Sequence, residues 1–292
     1  MSKKQLTGIL VALILVGVLF SLPKVVVESE AKKEAAVAEG TATVNAAGPA
    51  SEEAHDPNHE GHDHEHEEGM HVGAMGAEQL QSVESLREKI SKSGNIEKVA
   101  IFADSLAALY ANSFIFDSAA YYAELALSKE KSLPRVYKAG LYNFEAFNYS
   151  VEAGRQQAFA KKAEDYLSQV LKENPERLDA KNKLAMLKVS SQSPMEGIFM
   201  LREVLEKDPD NAEALMNMGM LSVQSSQFDK AVGHLERLTK LKPEHVQAQF
   251  YLAVSYFQLG RKQEAKQGFL KVKELDKSAD VAATVDEYLK NL

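Results

Sequence analysis

Neither cysteine nor tryptophan occurs anywhere in the 292 residues. With no thiol, the chain forms no disulfide, carries no thiolate nucleophile, builds no cysteine-ligated zinc site and offers no N-terminal cysteine for lipidation; such a chain is compatible with either side of a bacterial inner membrane. Clusters of lysine and arginine are missing too. A formal net charge of -8 and a pI near 5.6 argue against a nucleic-acid surface, which needs concentrated positive charge to displace phosphate counterions.

The motifs of covalent and phosphate chemistry are also wanting. The chain has no G-x-S-x-G elbow to expose a serine and no G-x-x-x-x-G-K-[ST] loop to cradle a phosphate. His59-Glu60-Gly61-His62-Asp63 misses the H-E-x-x-H zinc motif by one place. The many carboxylates of the C-terminal part fall in amphipathic stretches, where a solvated helix face accounts for them. Together these absences predict a protein that is not an enzyme and requires no cofactor.

What is present divides the chain into three stretches. Residues 1–5 form a short tail with Lys3 and Lys4, and residues 6–27 follow as an apolar run. As a helix, Leu6 to Pro23 spans about 27 Å, close to the ~30 Å of a bilayer core, so this segment is expected to cross a membrane once. Its exit, LFSLPKVVV, puts bulky side chains where a signal peptidase needs small ones, which favours an uncleaved anchor. Lys24, Lys32 and Lys33 follow the span, so basic residues on its two sides do not settle orientation. A five-residue tail normally stays in the cytoplasm, which places the bulk outside: the periplasm, if the cell is Gram-negative.

Residues 28–76 are rich in Ala, Gly, Glu and His, hold no Phe or Tyr, and lack periodicity. Such a composition buries too little to offset ordering entropy and predicts a disordered linker. As a coil of about 50 residues its reach is on the order of 40 Å. Within it HDPNHEGHDHEHEEGMH carries six of the eight histidines: His55, His59, His62, His64, His66 and His71. Neutral imidazoles among carboxylates suit Zn, Ni or Cu. Against a dedicated site stand many near-equivalent ligands, Pro57 and Gly61 interrupting any i, i+4 pairing, and no second shell to orient the rings. The segment is an acidic spacer by default and a metal buffer or metallochaperone by alternative.

The third stretch, residues 77–292, holds nearly all the aromatics and repeats itself with a period of 34. PMEGIFMLREVLEKDP, FDKAVGHLERLTKLKP and KQEAKQGFLKVKELDK fall in register, and units 178–211, 212–245 and 246–279 follow without a gap. In the unit from Ala212 the recurrent places hold Met218, Gly219, Phe228, Ala231, Leu235, Leu238 and Pro243; in the next they hold Leu252, Ala253, Lys262, Ala265, Phe269, Val272 and Lys277, with Tyr256 and Gly260 between. The preceding unit has Leu184, Ala185, Pro194, Gly197, Leu201, Val204 and Pro209. Looser units lie at 100–133 and 134–177, the second about ten residues longer than the period, with its first helix expected to extend through FEAFNYSVEAG.

This pattern resembles the tetratricopeptide repeat (TPR), a helix-turn-helix unit, in an arrangement like that of bacterial membrane-anchored members. The resemblance implies an all-α, right-handed superhelix of about five hairpins. AEQLQSVESLREKISK and DVAATVDEYLKNL are suited to cap its ends. It also implies a concave groove lined by the first helix of each hairpin, at Met186, Met216, Met220, Phe250 and Phe257, with Val189, Val223 and Val254 on the same face and suited rather to packing. Adaptable Met and aromatic side chains suit an amphipathic or hydrophobic peptide. The family's basic clamp for acidic C-terminal peptides is missing, because its places hold Asn182, Met186, Asn217, Gln247 and Tyr251. The expectation is therefore a membrane-anchored scaffold for a protein or peptide partner, with metal capture by the histidine segment as the alternative.

Overall fold

The computed structural model describes residues 75–292. The tail, the anchor at 6–27, the six candidate histidine ligands and the linker up to residue 74 lie outside the described residues. Within them the backbone forms twelve helices and no strand. They are α1 (Ala77–Lys92), α2 (Ile96–Asn112), α3 (Phe116–Lys129), α4 (Leu133–Tyr149), α5 (Ala153–Glu173) and α6 (Leu178–Val189). There follow α7 (Pro194–Lys207), α8 (Ala212–Gln224), α9 (Phe228–Leu241), α10 (Val246–Gln258), α11 (Lys262–Leu275) and α12 (Ala279–Lys290).

Five antiparallel hairpins result, each an A helix and a B helix: α2–α3, α4–α5, α6–α7, α8–α9 and α10–α11. The A helices of the last three begin at Leu178, Ala212 and Val246, 34 residues apart at both steps, the period found in the sequence. Local chemistry sets the boundaries. Asn95 and Asn211 accept the backbone N–H of Lys98 and Ala214 at 3.0 Å, closing helix N-termini. Pro134 and Pro194 sit in first turns, where a missing N–H costs nothing.

Three A-to-B turns share one device. Phe114, Ser226 and Gly260 have φ of 60°, 58° and 73°. In each turn the next residue donates back to the carbonyl five positions earlier: Ile115 to Tyr110, Gln227 to Ser222 and Arg261 to Tyr256. Glycine takes this left-handed conformation freely; Ser226 and Phe114 take it under strain.

Small residues let the helices of a hairpin close on each other. Ala185, Gly219 and Ala253 occupy equivalent places, and a Cβ on Gly219 would lie 2.6 Å from Leu235 Cδ2. Leu201, Leu235 and Phe269, again at matching places, are wholly buried, as are Leu167 and Val170 upstream. At about 25 cal/mol per Å² of apolar area removed from water, these rows are the main stabilising term. Each cluster spans hairpins: Ala185, Leu201, Val204, Ala214 and Met218 join α6, α7 and α8, so no hairpin completes its core alone.

The long second unit differs from expectation. Helix α4 ends at Tyr149 and α5 starts at Ala153, so the break falls inside FEAFNYSVEAG rather than after it. Ser150 and Glu152 adopt extended backbone there, and Ser and β-branched Val151 are weak helix formers. Gly140 faces Leu167 as Gly219 faces Leu235. Past that shared contact α4 runs four residues further than α8, and α5 begins seven residues earlier than α9 relative to their matched alanines, Ala163 and Ala231. The extra chain therefore lengthens both helices into a protruding tip, where Val151 is 99% exposed.

Helix α1 packs on α2 and α12 on α11, as the two amphipathic end segments predict. The folded unit also takes in Met75, assigned to the linker by composition, which is buried against Ile115 and Tyr110.

Candidate partner-binding face

Consecutive A helices touch, α4 on α6, α6 on α8 and α8 on α10, whereas successive B helices approach each other less. Closer spacing on one side bends a stack toward that side, so the A helices line the concave face. Its two ends differ in chemistry.

At the C-terminal end the face is filled. Met216, Met220 and Phe250 are 9%, 8% and 8% exposed; Met186 and Phe257 are half-buried. The rings of Phe250 and Phe257 lie 5.9 and 5.5 Å from that of Tyr288 on α12, and Phe269 stacks on Tyr288 at 4.7 Å. Burial in this cluster pushes the Tyr288 hydroxyl up to about 12, and its oxygen has no hydrogen-bond partner. Phe250 and Phe257 are thus brought together, but under the chain's own last helix. Val223 and Val254 are buried, in keeping with a packing role, and Val189 is half-buried. Met186 stands apart from the aromatic group, packed between the clusters of the second and third hairpins.

Between α4, α6 and α8 the face is polar. Lys183 Nζ donates to Glu213 Oε1 at 3.0 Å and lies 5.8 Å from the Phe144 ring centroid. Asn182 is fully buried; its Nδ2 donates to Asn211 Oδ1 at 2.9 Å and approaches Glu213 Oε2 at 3.5 Å, while its Oδ1 has no partner. Glu145, on α4, feels the charges of Lys183 and Glu213. Desolvation raises its carboxyl above the ordinary range; Lys183 counters this and Glu213 reinforces it.

Beside the junction, the Arg177 guanidinium lies 3.4 Å from the Tyr137 ring centroid and pairs with Asp179 at 3.0 Å. Burial pushes Asp179 upward, but hydrogen bonds from Arg177 and Tyr137 prevail and hold it below the usual carboxylate range. Nearer the N-terminus, Asp104 pairs with Arg135 at 2.9 Å and Lys138 at 3.1 Å, tying α2 to α4.

This polar junction escaped sequence reasoning, which read charges on helices as solvated. The available signal was Asn182: an amide at a position that the repeat's geometry directs inward. Among the described residues no group of three or more His, Asp or Glu side chains is placed to hold a metal ion. No helix among them is long and apolar enough to cross a membrane.

Stacked helix hairpins at a 34-residue spacing, closed by small residues and capped at both ends, define a helical-repeat protein. Residues 217–279 match a family model described as "Tetratricopeptide repeat". No curated protein matches the chain. Solved structures similar to it include a MamA protein at 16% identity, spanning 61% of this chain and 92% of that one with a TM-score of 0.45. MamA residues 41 to the end from Desulfovibrio magneticus RS-1 share 19% identity over 62% and 97% of the two chains, with a TM-score of 0.47. YrrB, "a TPR protein with an unusual peptide-binding site", shares 18% identity over 70% and 99%, with a TM-score of 0.44.

Proposed function

We propose that this chain is a non-catalytic scaffold that binds a protein or peptide segment along the A-helix face between α4 and α8. The observation that carries the reading is the contrast along that face. Its α10 end is packed by Tyr288, whereas Met186, Lys183, Asn217 and Glu213 keep part of their surface accessible on successive hairpins. Polar groups beside adaptable apolar ones at the centre of a groove suit recognition of a peptide segment.

The reading extends to residues 1–76 on sequence grounds. The apolar segment 6–27 anchors the chain in the inner membrane, the acidic linker spaces the repeats from it, and the repeats work outside the cytoplasm. The histidines serve the spacer; a bound Zn, Ni or Cu ion is an addition the scaffold does not need.

In-cell photocrosslinking from Met186 and Asn217, with Leu270 on the B-helix side as reference, tests this. A specific protein captured from the first two positions and not from Leu270 is the expected result, unchanged when the histidines from His55 to His71 are replaced by Ser and Gly. Capture of no specific protein from either position overturns the groove, and loss of capture on histidine replacement moves the function to the linker.

A further inference from the structure

We propose that the edge formed by the α2–α3 turn and the tip of α4 and α5 docks on the surface of a lipid bilayer, with Phe114, Tyr149 and Val151 entering its interface. This inference rests on residues 6–27 being a membrane anchor and adds a second contact with the same membrane. Three rings converge at the edge: Phe116 lies 4.7 Å from Tyr149 between centroids, and Phe114 lies 6.0 Å from Phe116 and 6.4 Å from Tyr149. Phe114 is 52% exposed, Tyr149 49% and Val151 99%, so the cluster meets solvent rather than the core. Phe114 holds its ring there at a φ of 60°, where later hairpins place Ser226 and Gly260. That conformation is costly to a residue with a Cβ, and strain kept by an exposed aromatic points to a contact beyond the fold.

The point where the linker joins the folded unit selects the occupant. Met75 is buried in one cluster with Ile115, the residue between Phe114 and Phe116, so the linker meets the repeats at the edge that carries the rings. As a coil of about 50 residues with a reach on the order of 40 Å, it keeps that edge close to the bilayer its other end enters. Tethering raises the effective concentration of the patch at the surface, so a weak affinity suffices. A soluble protein partner gains nothing from this tether. The side chains fit an interface: Phe and Val are apolar, and Tyr is an apolar ring with a polar end, a type enriched at headgroup depth. Arg155 pairs with Asp117, next to Phe116, at 3.1 Å, which lowers the cost of bringing that carboxylate to the surface. The linker then gives the repeats two positions, standing off the membrane or docked on it by this edge.

Because the chain has no Trp, one substitution supplies a reporter for the full chain in phosphatidylcholine nanodiscs. Fluorescence of Val151→Trp should be quenched by phosphatidylcholine brominated in its acyl chains, whereas Leu270→Trp, which adds the same ring to the exposed side of α11, should not be. Placed in the Val151→Trp chain, Phe114→Gly should lower the docked-to-free ratio about fivefold, as loss of a half-exposed Phe ring from apolar surroundings implies. Its thermal midpoint should not fall, because the left-handed strain goes with the ring; this separates lost docking from lost folding. Equal quenching of Val151→Trp and Leu270→Trp, or no change with Phe114→Gly, overturns the docking. Emission of Val151→Trp that shifts to the blue without quenching by lipid means that the patch is covered by the chain itself or by a second copy, and overturns the bilayer as occupant. A chain that fails to co-elute with the nanodiscs overturns the anchor and the docking with it; co-elution without quenching leaves the anchor standing and overturns the docking alone.

Discussion

Gly197 and Gly233 both lie inside B helices, yet a methyl group at each has opposite consequences. A Cβ on Gly197 would sit 2.3 Å from the Ala185 carbonyl oxygen and 2.8 Å from the Val189 nitrogen, whereas one on Gly233 meets nothing within 4 Å. Backbone cannot swing aside as a side chain does. Gly197→Ala should therefore cost about 1–3 kcal/mol through overpacking, and Gly233→Ala should gain about 0.5–1 kcal/mol by helix propensity alone. Chemical denaturation reads both, and equal shifts would show that the α6–α7 approach is not tight. Glu145 gives a pH signature of its own. Its folded carboxyl titrates above the unfolded one because of desolvation, so its contribution to stability is fully present below the unfolded value of about 4.3 and is lost as pH rises through the folded value. Stability of wild type minus that of Glu145→Gln should fall across that window; a flat difference would mean that water reaches the carboxylate freely. Single-residue roles of this kind are half legible in sequence. Register with Gly260 marks Ser226 and Phe114 as turn residues, but no pattern announces that Glu145 and Glu213, on different hairpins, feel each other's charge.

Helices were the most readable level, because each unit repeats the same alternation of small, apolar and turn residues, and the 34-residue period carries the boundaries with it. What the period could not convey came from segments outside it. The tip of α4 and α5 is a departure from the repeat, and its break at residues 150–152 depends on the weak helix formers Ser150 and Val151. The end helix α12 has the amphipathic pattern of a cap, but that Tyr288 reaches Phe250, Phe257 and Phe269 follows only from how it docks. Sequence position alone gave Phe250 and Phe257 to the groove; packing gives them to the cap. Tyr288→Ala should cost about 3–5 kcal/mol, the usual loss for a large buried aromatic, and should expose the cluster to hydrophobic dyes. Tyr288→Phe should be neutral or stabilising, because the buried hydroxyl oxygen has no partner and its removal deletes a desolvation cost. A drop with Tyr288→Phe similar to that of Tyr288→Ala would assign the hydroxyl a hydrogen bond and the cap a polar role.

At the scale of the whole molecule, charge and cooperativity are distributed differently. Residues 1–74 hold 5 basic and 12 acidic residues, and residues 75–292 hold 29 and 30, so nearly all of the net -8 belongs to the N-terminal quarter. A basic partner would be drawn toward the chain by this field, and its association rate should fall with salt more steeply than its dissociation rate rises. Cooperativity instead follows contact between neighbours. Leu201 is wholly buried in the cluster joining α6, α7 and α8, and each hairpin meets only the next along the stack. In such an array stability is a sum of unit and interface contributions, so damage spreads outward from its origin and weakens with distance. Leu201→Ala should cost about 2–5 kcal/mol locally. Hydrogen exchange should then show amides of α6, α7 and α8 losing most protection, those of α4–α5 and α10–α11 less, and those of α2–α3 least. Uniform loss from α1 to α12 would instead make the array a single cooperative unit, in which binding at the α4–α6–α8 junction would stiffen both ends alike; the graded outcome confines that stiffening to the hairpins around the junction.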